Sequence, residues 1–223
     1  MWQKKSLGPG PTKLIGGSMQ AGFFGEVSVK DLIAGDELAR RIGLTAGTSQ
    51  YSNEPWLKFA YLGKIEFVAK KPIRYGISWD SLKSANVIFG SKTIDIGGKT
   101  YKVRLMKGKT EGKQNNQSEY SGAINHGSEW NRLILPIHKN APSSWKFKNN
   151  VDSPTENWSV GYADVDLVTN YNGNGSYSWC QEYGQSSAHR LIRGYSGVSS
   201  SASYTPASSF TLTGWRPVLE LID

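Results

Sequence analysis

The amino-acid sequence predicts an α+β protein: a small mixed N-terminal unit with β-hairpins, followed by a loop-rich α+β domain. Three observations support this class. Short β-prone runs alternate with turn residues, the helix signals are brief, and the 223 residues include 25 glycines but no long heptad pattern. No apolar run approaches the roughly 20 residues that cross a bilayer, so we expect no membrane insertion.

The first 25 residues are predicted to form an extended arm. Eight glycine and proline positions fall in this stretch, a density that disfavours regular structure. Two brief helices should follow the arm. The spacing of Ser28 and Asp31 resembles a capping box, and a second helix is predicted from Asp36 to a stop at Gly43.

Five short runs between residues 56 and 105 have the composition of β-strands. The pair Gly97 and Gly98 separates the last two runs, which predicts a tight β-hairpin. Ser78 can cap a short helix between the third and fourth runs. The predicted strands are 56–61, 65–69, 73–77, 93–96 and 99–105.

A polar stretch divides the chain near its middle. Residues 111–127 lack apolar periodicity and are predicted to form a linker or a long surface loop. The predicted units are therefore the arm at 1–25, a basic α+β unit at 26–110 and a domain at 128–223. A helix capped by Ser128 and ended by Pro136 opens that domain, and widely spaced tryptophans should anchor its irregular loops.

Charge is distributed unevenly along the chain. Residues 1–110 carry 18 Lys and Arg against 8 Asp and Glu, whereas residues 111–223 carry 8 against 10. A basic half can face nucleic acid or an acidic protein, or it can be a solvated surface. We expect a protein partner rather than nucleic acid, with docking through Lys70, Lys71 and Arg74.

The sequence contains no recognisable motif for catalysis, metal binding or a cofactor. Its three histidines are too far apart for a helical metal motif, and it has no nucleophile elbow, P-loop or dinucleotide fingerprint. Cys180 is expected to be a buried thiol. Asp164 and Asp166 have strand spacing and could share a cation, but two solvated acids are the simpler interpretation. We expect no metal, no cofactor and no enzymatic activity.

One alternative to that expectation concerns carboxyl groups. Glu129, Glu182 and Asp166 are scattered in sequence but could meet in space as a glycosidase pair. A carbohydrate-active enzyme therefore remains an alternative.

The segment 195–209 has the composition of a binding surface. It holds two tyrosines, which supply rigid contact area, and seven serines, which supply adaptable hydrogen bonds. The neighbouring arginines favour an interface, whereas a flexible loop without a ligand is the alternative. The predicted contact residues are Arg193, Tyr195, Ser199, Ser200, Ser201 and Tyr204.

Several blocks of the sequence resemble segments of structural proteins of tailed bacteriophages and prophages. The first four are WLKF at 56–59, FVAKKPIR at 67–74, ISWD at 77–80 and KTYKVRL at 99–105. The others are SEWNRL at 128–133, SWCQE at 178–182, Arg-Gly at 193–194 and GWRPVLEL at 214–221. Together they span most of residues 15–223. The resemblance implies a virion protein, made in the host bacterial cytoplasm, that assembles with other virion proteins and with copies of itself.

The string at 214–219 is also similar to the terminal strand of C-type-lectin-like domains of the formylglycine-generating-enzyme type. Phage receptor-binding proteins use this fold, with an Arg-Gly pair and a variable Tyr/Ser loop before the strand. The catalytic branch of the family uses paired cysteines, whereas Cys180 stands alone, and lectin calcium motifs such as Glu-Pro-Asn are absent. The resemblance thus implies a C-type-lectin-like binding scaffold at 128–223.

These patterns lead us to expect a non-enzymatic virion structural protein. It would dock on the tail, collar or capsid surface through its basic half and display the lectin-like domain outward. A receptor- or glycan-binding adhesin, directed at a host-surface glycan or protein, is the alternative.

Overall fold

Two β-sheets and four short helices make up the described part of the fold. The structure is a computed structural model, and it describes residues 7–109, 127–140, 157–169, 172–184 and 186–222. Strand residues outnumber helical residues, so the predicted α+β class is confirmed in a form dominated by β-structure. Within those ranges, no helix is long and apolar enough to cross a membrane. The helices are α1 (Gly35–Ile42), α2 (Trp79–Ser84), α3 (Glu129–Leu133) and α4 (Asp164–Leu167).

The strands are short, and most are joined by tight turns. In chain order they are β1 (Gly16–Gly17), β2 (Ala21–Val27), β3 (Thr48–Ser49), β4 (Trp56–Tyr61), β5 (Lys64–Ala69), β6 (Arg74–Tyr75), β7 (Phe89–Ile96), β8 (Lys99–Arg104), β9 (Tyr177–Tyr183), β10 (Arg190–Gly194), β11 (Ser201–Tyr204), β12 (Thr213–Trp215) and β13 (Val218–Leu221).

Seven of these strands form the first sheet, in the spatial order β1-β2-β4-β5-β13-β8-β7. The predicted hairpin joins β7 to β8, and its turn residues Gly97 and Gly98 have φ angles of 56° and 74°. Both angles lie in the left-handed region that this tight turn requires, which explains the glycine pair. β13 lies inside the sheet and pairs antiparallel with both β5 and β8.

The second sheet has six strands in the order β11-β10-β9-β12-β6-β3. β12 pairs parallel with β9 and antiparallel with β6. β10 and β11 form an antiparallel pair at one edge. The second sheet therefore also combines strands from the beginning and the end of the chain.

The predicted boundary at 111–127 does not separate two folding units. β13 fills the space between β5 and β8, and β12 joins β6 to β9. Val218 packs in one apolar cluster and Leu219 in the other, so β13 is apolar on both faces. A strand that is apolar on both faces is favoured inside a sheet that is covered on both sides. This is the physical reason why the two predicted units share a sheet. Residues 110–126 lie outside the described part of the chain.

The N-terminal segment packs on its own chain from residue 7 onward. Phe23 and Phe24 are buried within β2. The Lys58 ammonium donates to the carbonyl oxygens of Pro9 and Pro11 at 2.9 and 2.6 Å. The prediction of an extended arm is therefore wrong for residues 7–25, because two adjacent aromatic side chains give this stretch enough apolar surface to join a sheet. Residues 1–6 lie outside the described residues.

Three predicted helix ends are confirmed. Ser78 caps α2 by accepting from the Ser81 amide at 3.0 Å. Ser128 caps α3 by accepting from the Asn131 amide at 3.1 Å. Gly43 ends α1 with a φ of 76°, a left-handed conformation that favours glycine.

Two other local predictions are wrong. Ser28 and Asp31 bond to each other at 2.8 Å within a turn and do not start a helix. Asp164 and Asp166 lie on α4 rather than on a strand. Short polar side chains bond to nearby groups in turns as readily as at helix ends, so their spacing alone does not choose between these structures.

Apolar side chains cover both faces of the first sheet. Within β4, Trp56 and Ala60 belong to one cluster, whereas Leu57 and Phe59 belong to the other. The first cluster includes residues of α1, α2 and the second sheet, and the second cluster includes residues of α3. The first sheet therefore forms the central layer between these elements.

Candidate functional site

Arg193, one of the predicted contact residues, lies inside the protein. It is fully buried in β10, and its guanidinium lies 5.4 Å from the centroid of the Trp130 ring. Its Nη2 donates to Asn131 Oδ1 at 2.8 Å. Burial lowers the pKa of Arg193 to about 10. The prediction that Arg193 contributes to a binding surface is therefore wrong: its buried guanidinium donates to Asn131 of α3 and to the carbonyl oxygens of Val198 and Ser200.

Tyr195 and Tyr204 belong to a cluster of aromatic rings. Tyr195 stacks on Tyr177 with ring centroids 4.6 Å apart, and Tyr204 meets Tyr177 edge-on at 5.6 Å. Phe210 packs against Tyr204 at 4.6 Å. Both predicted contact tyrosines are half-buried. They anchor the segment 195–209 to β9 and keep part of each ring at the surface.

The three predicted contact serines lie at the edge of the second sheet. Ser199 is exposed, and Ser200 and Ser201 are half-buried. Ser201 begins β11, which is the outermost strand of that sheet. The segment 195–209 is therefore partly an edge strand rather than a loop throughout. Contact of these serines with a ligand stays a prediction.

The predicted docking residues Lys70, Lys71 and Arg74 all contact their own chain. Lys70 forms an ion pair at 2.8 Å, and Lys71 lies 4.8 Å from the centroid of an aromatic ring. Arg74 donates to two backbone carbonyl oxygens at 2.8 and 2.6 Å. The partners are Glu26 for Lys70, Tyr51 for Lys71, and Ala46 and Gly47 for Arg74. Docking through these residues stays a prediction.

A cluster of charged side chains is buried between the first sheet and α3. Arg104 of β8 lies at its centre and donates from Nε to Glu220 Oε2 of β13 at 3.0 Å. Its Nη2 contacts Glu66 Oε1 of β5 at 2.5 Å. Its two Nη atoms donate to the two carboxylate oxygens of Glu129 of α3, at 3.1 and 2.8 Å. Every side chain in this Arg104 cluster is at most 8% exposed.

Protonation balances the charges of the Arg104 cluster. Burial raises the pKa of Glu66 well above its usual value and so favours its neutral form. Burial also disfavours ionised Glu129, but Arg104 outweighs that effect and holds the pKa of Glu129 below its usual value. Glu220 also has a lowered pKa and contacts Lys64 Nζ at 2.7 Å. Arg104 is thus shared by two carboxyl groups with lowered pKa values and by Glu66, whose neutral form is favoured by burial.

A cavity of about 370 Å³ lies beside β9 and is partly open to solvent. Side chains of α2, β7, β9, β10 and the segment after β8 form its walls, and we call it the Glu182 cavity. The lining residues are Trp79, Lys83, Phe89, Lys107, Gln181, Glu182, Tyr183 and Arg190.

Glu182 brings a buried carboxyl group to this cavity. It is 3% exposed, and its Oε2 accepts from the Gly108 amide at 2.9 Å. Within the described chain, its Oε1 has no hydrogen-bond partner outside its own residue. Burial raises the pKa of Glu182 to about 8, so the neutral acid predominates at pH 7.

Aromatic rings and cations form the rest of the cavity wall. The Arg190 guanidinium lies 4.5 Å from the centroid of the Trp79 ring and 4.2 Å from that of Tyr183. Lys83 Nζ lies 5.8 Å from the Trp79 centroid. Phe89 meets the Trp79 ring edge-on at 6.2 Å and is 62% exposed. The wall thus combines apolar surface with positive charge.

No local sequence pattern predicts this cavity, because its walls come from distant segments. The one available signal is Glu182 itself, an acidic residue in a strand-like run that is costly to bury without a partner. Among the acids considered as a glycosidase pair, Glu129 and Glu182 accept from the consecutive amides of Lys107 and Gly108, at 2.6 and 2.9 Å, and catalysis by them stays a prediction. Glu129 contacts Arg104, while Asp166 accepts from the Ala163 amide at the start of α4.

Comparisons with protein-family models, with curated proteins and with solved structures found no match to this chain. The function is therefore inferred from the geometry and from the blocks that resemble phage proteins.

Proposed function

We propose that this chain is a non-enzymatic structural protein of a tailed-phage virion, which docks on the particle and displays a binding surface. The observation that carries the proposal is that both series of phage-like blocks contribute strands to the same two sheets. Blocks within 56–105 supply β4, β5 and β8, and the block at 214–221 supplies strands to both sheets. The resembling residues thus include strands at the centre of the fold, and Trp79, Gln181 and Glu182 of these blocks also line the Glu182 cavity.

A C-type-lectin-like arrangement of the C-terminal strands, within sheets that they share with residues 7–109, is part of the proposal. Its support is the string at 214–221, which provides β12 to one sheet and β13 to the other. The segment 195–209 lies shortly before that string and reaches the outer edge of the second sheet. This is the order in which the resemblance places a variable Tyr/Ser loop and the terminal strand.

The Arg104 cluster supports a structural role. Its charge-assisted hydrogen bonds connect β5, β8, β13 and α3 within a closed interior. Three strands and a helix from the two halves of the chain are thereby held in fixed register. A rigid framework of this kind suits a protein that displays a surface on a particle.

Immunogold electron microscopy tests this role. Antibodies raised against the purified chain are applied to density-gradient-purified particles from a bacterium that carries the gene, and the copy number is measured by quantitative mass spectrometry. We expect label at one morphological position and a constant number of copies per particle. Recovery of the chain only in the particle-free lysate, beside particles of normal infectivity, would contradict the proposal.

A receptor- or glycan-binding adhesin is the second candidate, and the Glu182 cavity favours it because aromatic rings and cations meet there. Particles produced without this chain separate the two functions. Loss of a structural protein should prevent the formation of complete particles. Loss of an adhesin should give complete particles that do not adsorb to the host.

A further inference from the structure

We propose that the Glu182 cavity binds a saccharide unit that carries an anionic group, either a carboxylate or a phosphate. This inference goes beyond the virion role, which requires no small ligand. Three features of the cavity support it: its size, its buried carboxyl group, and the combination of cations with aromatic rings on its walls.

The size of the cavity suits one or two sugar rings. Pockets for small ligands usually enclose about 300 to 1,000 Å³, and the volume of about 370 Å³ lies at the lower end of that range. The cavity is partly open, so a terminal or internal unit of a longer chain can enter while its neighbours stay in solvent.

Glu182 gives the cavity a polar group that lacks a partner. A buried oxygen without a hydrogen bond is costly, and native proteins retain few of them. Glu182 Oε1 has no partner outside its own residue among the described residues, while Oε2 is held by the Gly108 amide. A sugar hydroxyl can act as donor or acceptor, so it can pair with this carboxyl group in either protonation state.

Positive charge on the walls selects an anion. Lys83, Lys107 and Arg190 line the cavity together with Glu182, the single acidic residue among the described lining residues. Arg190 Nη1 donates to the carbonyl oxygens of Ser187 and His189, both at 3.2 Å, which fixes the plane of the guanidinium. A fixed guanidinium is suited to carboxylate and phosphate groups.

Aromatic rings provide the apolar part of the site. Phe89 lines the cavity and is 62% exposed, and Tyr183, a half-buried ring, lies 4.2 Å from the Arg190 guanidinium. Exposed aromatic rings beside a concave polar site are typical of ligand recognition. One face of a sugar ring consists of C–H groups, which pack on such a ring while the hydroxyl groups bond to polar residues.

Isothermal titration calorimetry on the purified full chain tests the inference. The probes are glucuronate, glucose 6-phosphate, glucose, inorganic phosphate and AMP. We expect glucuronate and glucose 6-phosphate to bind at least about tenfold more tightly than glucose or phosphate alone. Tighter binding of AMP than of glucose 6-phosphate would identify a nucleotide site instead, and equal binding of phosphate and glucose 6-phosphate would identify a simple anion site. Either result overturns the proposal, as does the absence of saturable binding.

Variants locate the binding in this cavity. Lys83→Gln and Phe89→Ala change exposed side chains, so both proteins should fold normally. Each should weaken the binding of glucuronate at least about fivefold. The matched control is Leu62→Ala, which removes a 45% exposed apolar side chain on the β4–β5 turn and should leave binding unchanged. Equal binding by all four proteins would overturn the assignment. Because the purified chain is used, the result is independent of whether the protein is found in a particle.

Discussion

Two buried groups of acidic side chains lie on either side of one backbone segment, and they differ in how their charge is balanced. The Lys107 amide donates to Glu129 of the Arg104 cluster at 2.6 Å, and the next amide, that of Gly108, donates to Glu182 at 2.9 Å. In the cluster, each carboxyl group also contacts Arg104. Glu182 instead lies beside space that solvent can enter, in a cavity that Lys107 also lines.

This difference implies two roles for buried acids: those of the Arg104 cluster stabilise the fold, and Glu182 is placed to bind a ligand. In a buried ion-pair cluster, removing one partner leaves an uncompensated charge that destabilises the fold. A buried acid with an unused oxygen at a cavity can instead gain a partner from a ligand. The predictions below test whether the two groups behave in these different ways.

The largest effect should follow removal of the central cation. Arg104→Met leaves Glu66, Glu129 and Glu220 without their common partner, and we expect a loss of about 3–5 kcal/mol in the free energy of unfolding. Urea denaturation measures it. The control is Arg40→Met, which removes an exposed ion pair with Glu37 and should leave the denaturation midpoint unchanged. Equal midpoints for both variants would show that the cluster has no special structural role.

Replacement of Glu182 should change how the stability of the protein depends on pH. The folded pKa of Glu182 is raised to about 8, so the folded state binds more protons than the unfolded state between about pH 4.5 and 8. Stability should therefore fall as pH rises through that window. Glu182→Gln removes this contribution, and the variant should lose less stability between pH 5 and pH 8, by on the order of 1–3 kcal/mol.

Urea denaturation at several pH values measures that difference. Glu66 also has a raised pKa and contributes a decline of the same sign, so some pH dependence should persist in the variant. Superimposable pH profiles for the variant and the natural protein would show that Glu182 does not titrate as a buried, unpaired acid.

A smaller, local effect should follow removal of a buried cation, Lys58, whose hydrogen bonds go to backbone carbonyl groups. Lys58→Met deletes the ammonium that bonds to Pro9 and Pro11, so the segment near residues 7–15 should detach from the first sheet. Trypsin cleavage after Lys13 should become faster, as followed by mass spectrometry. Lys92→Met on β7 is the control, and cleavage at the same rate in both variants would contradict an anchoring role for Lys58.

The smallest effect is expected at the sheet edge, where no buried charge is involved. Changing Ser199, Ser200 and Ser201 together to alanine should alter the free energy of unfolding by well under about 1 kcal/mol. The contrasting variant, Tyr195→Ala with Tyr204→Ala, removes rings that pack on Tyr177 and should lower the melting temperature by several degrees. Calorimetry compares the two, and a larger loss for the serine variant would show that the serines hold the edge strand in place.

Local features of the fold were predictable because they depend on a few neighbouring residues. The Gly97-Gly98 turn, the Ser78 and Ser128 caps and the stop at Gly43 all follow from short-range backbone requirements. The position of β13 does not, because its partners are chosen by apolar packing on both faces of a distant sheet. The burial of Arg193 is not predictable from its position beside the Tyr/Ser segment for the same reason, because its partner Asn131 on α3 lies 62 positions away.

The sequence indicates single residues of the candidate site but not how they are arranged. Glu182 was recognised as an acid that could take part in chemistry, and Trp79 as a residue of a short helix. Their meeting with Arg190 depends on how α2 packs against the ends of β9 and β10, which only the tertiary structure specifies. The Tyr/Ser composition of 195–209 predicts a surface for contacts with a ligand. In the structure, the tyrosine rings of this segment contact other aromatic rings of the same chain.

The central position of β13 has a consequence for how the protein is made. Glu220 reaches Lys64 across 156 positions of the sequence and Arg104 across 116, so neither contact can form until translation has passed the end of β13. During that interval β5 and β8 have unpaired edges that can add a strand from another nascent chain. Closure of the first sheet therefore waits until β13 has been synthesised, and the topology leaves the edges of β5 and β8 open to aggregation during that interval.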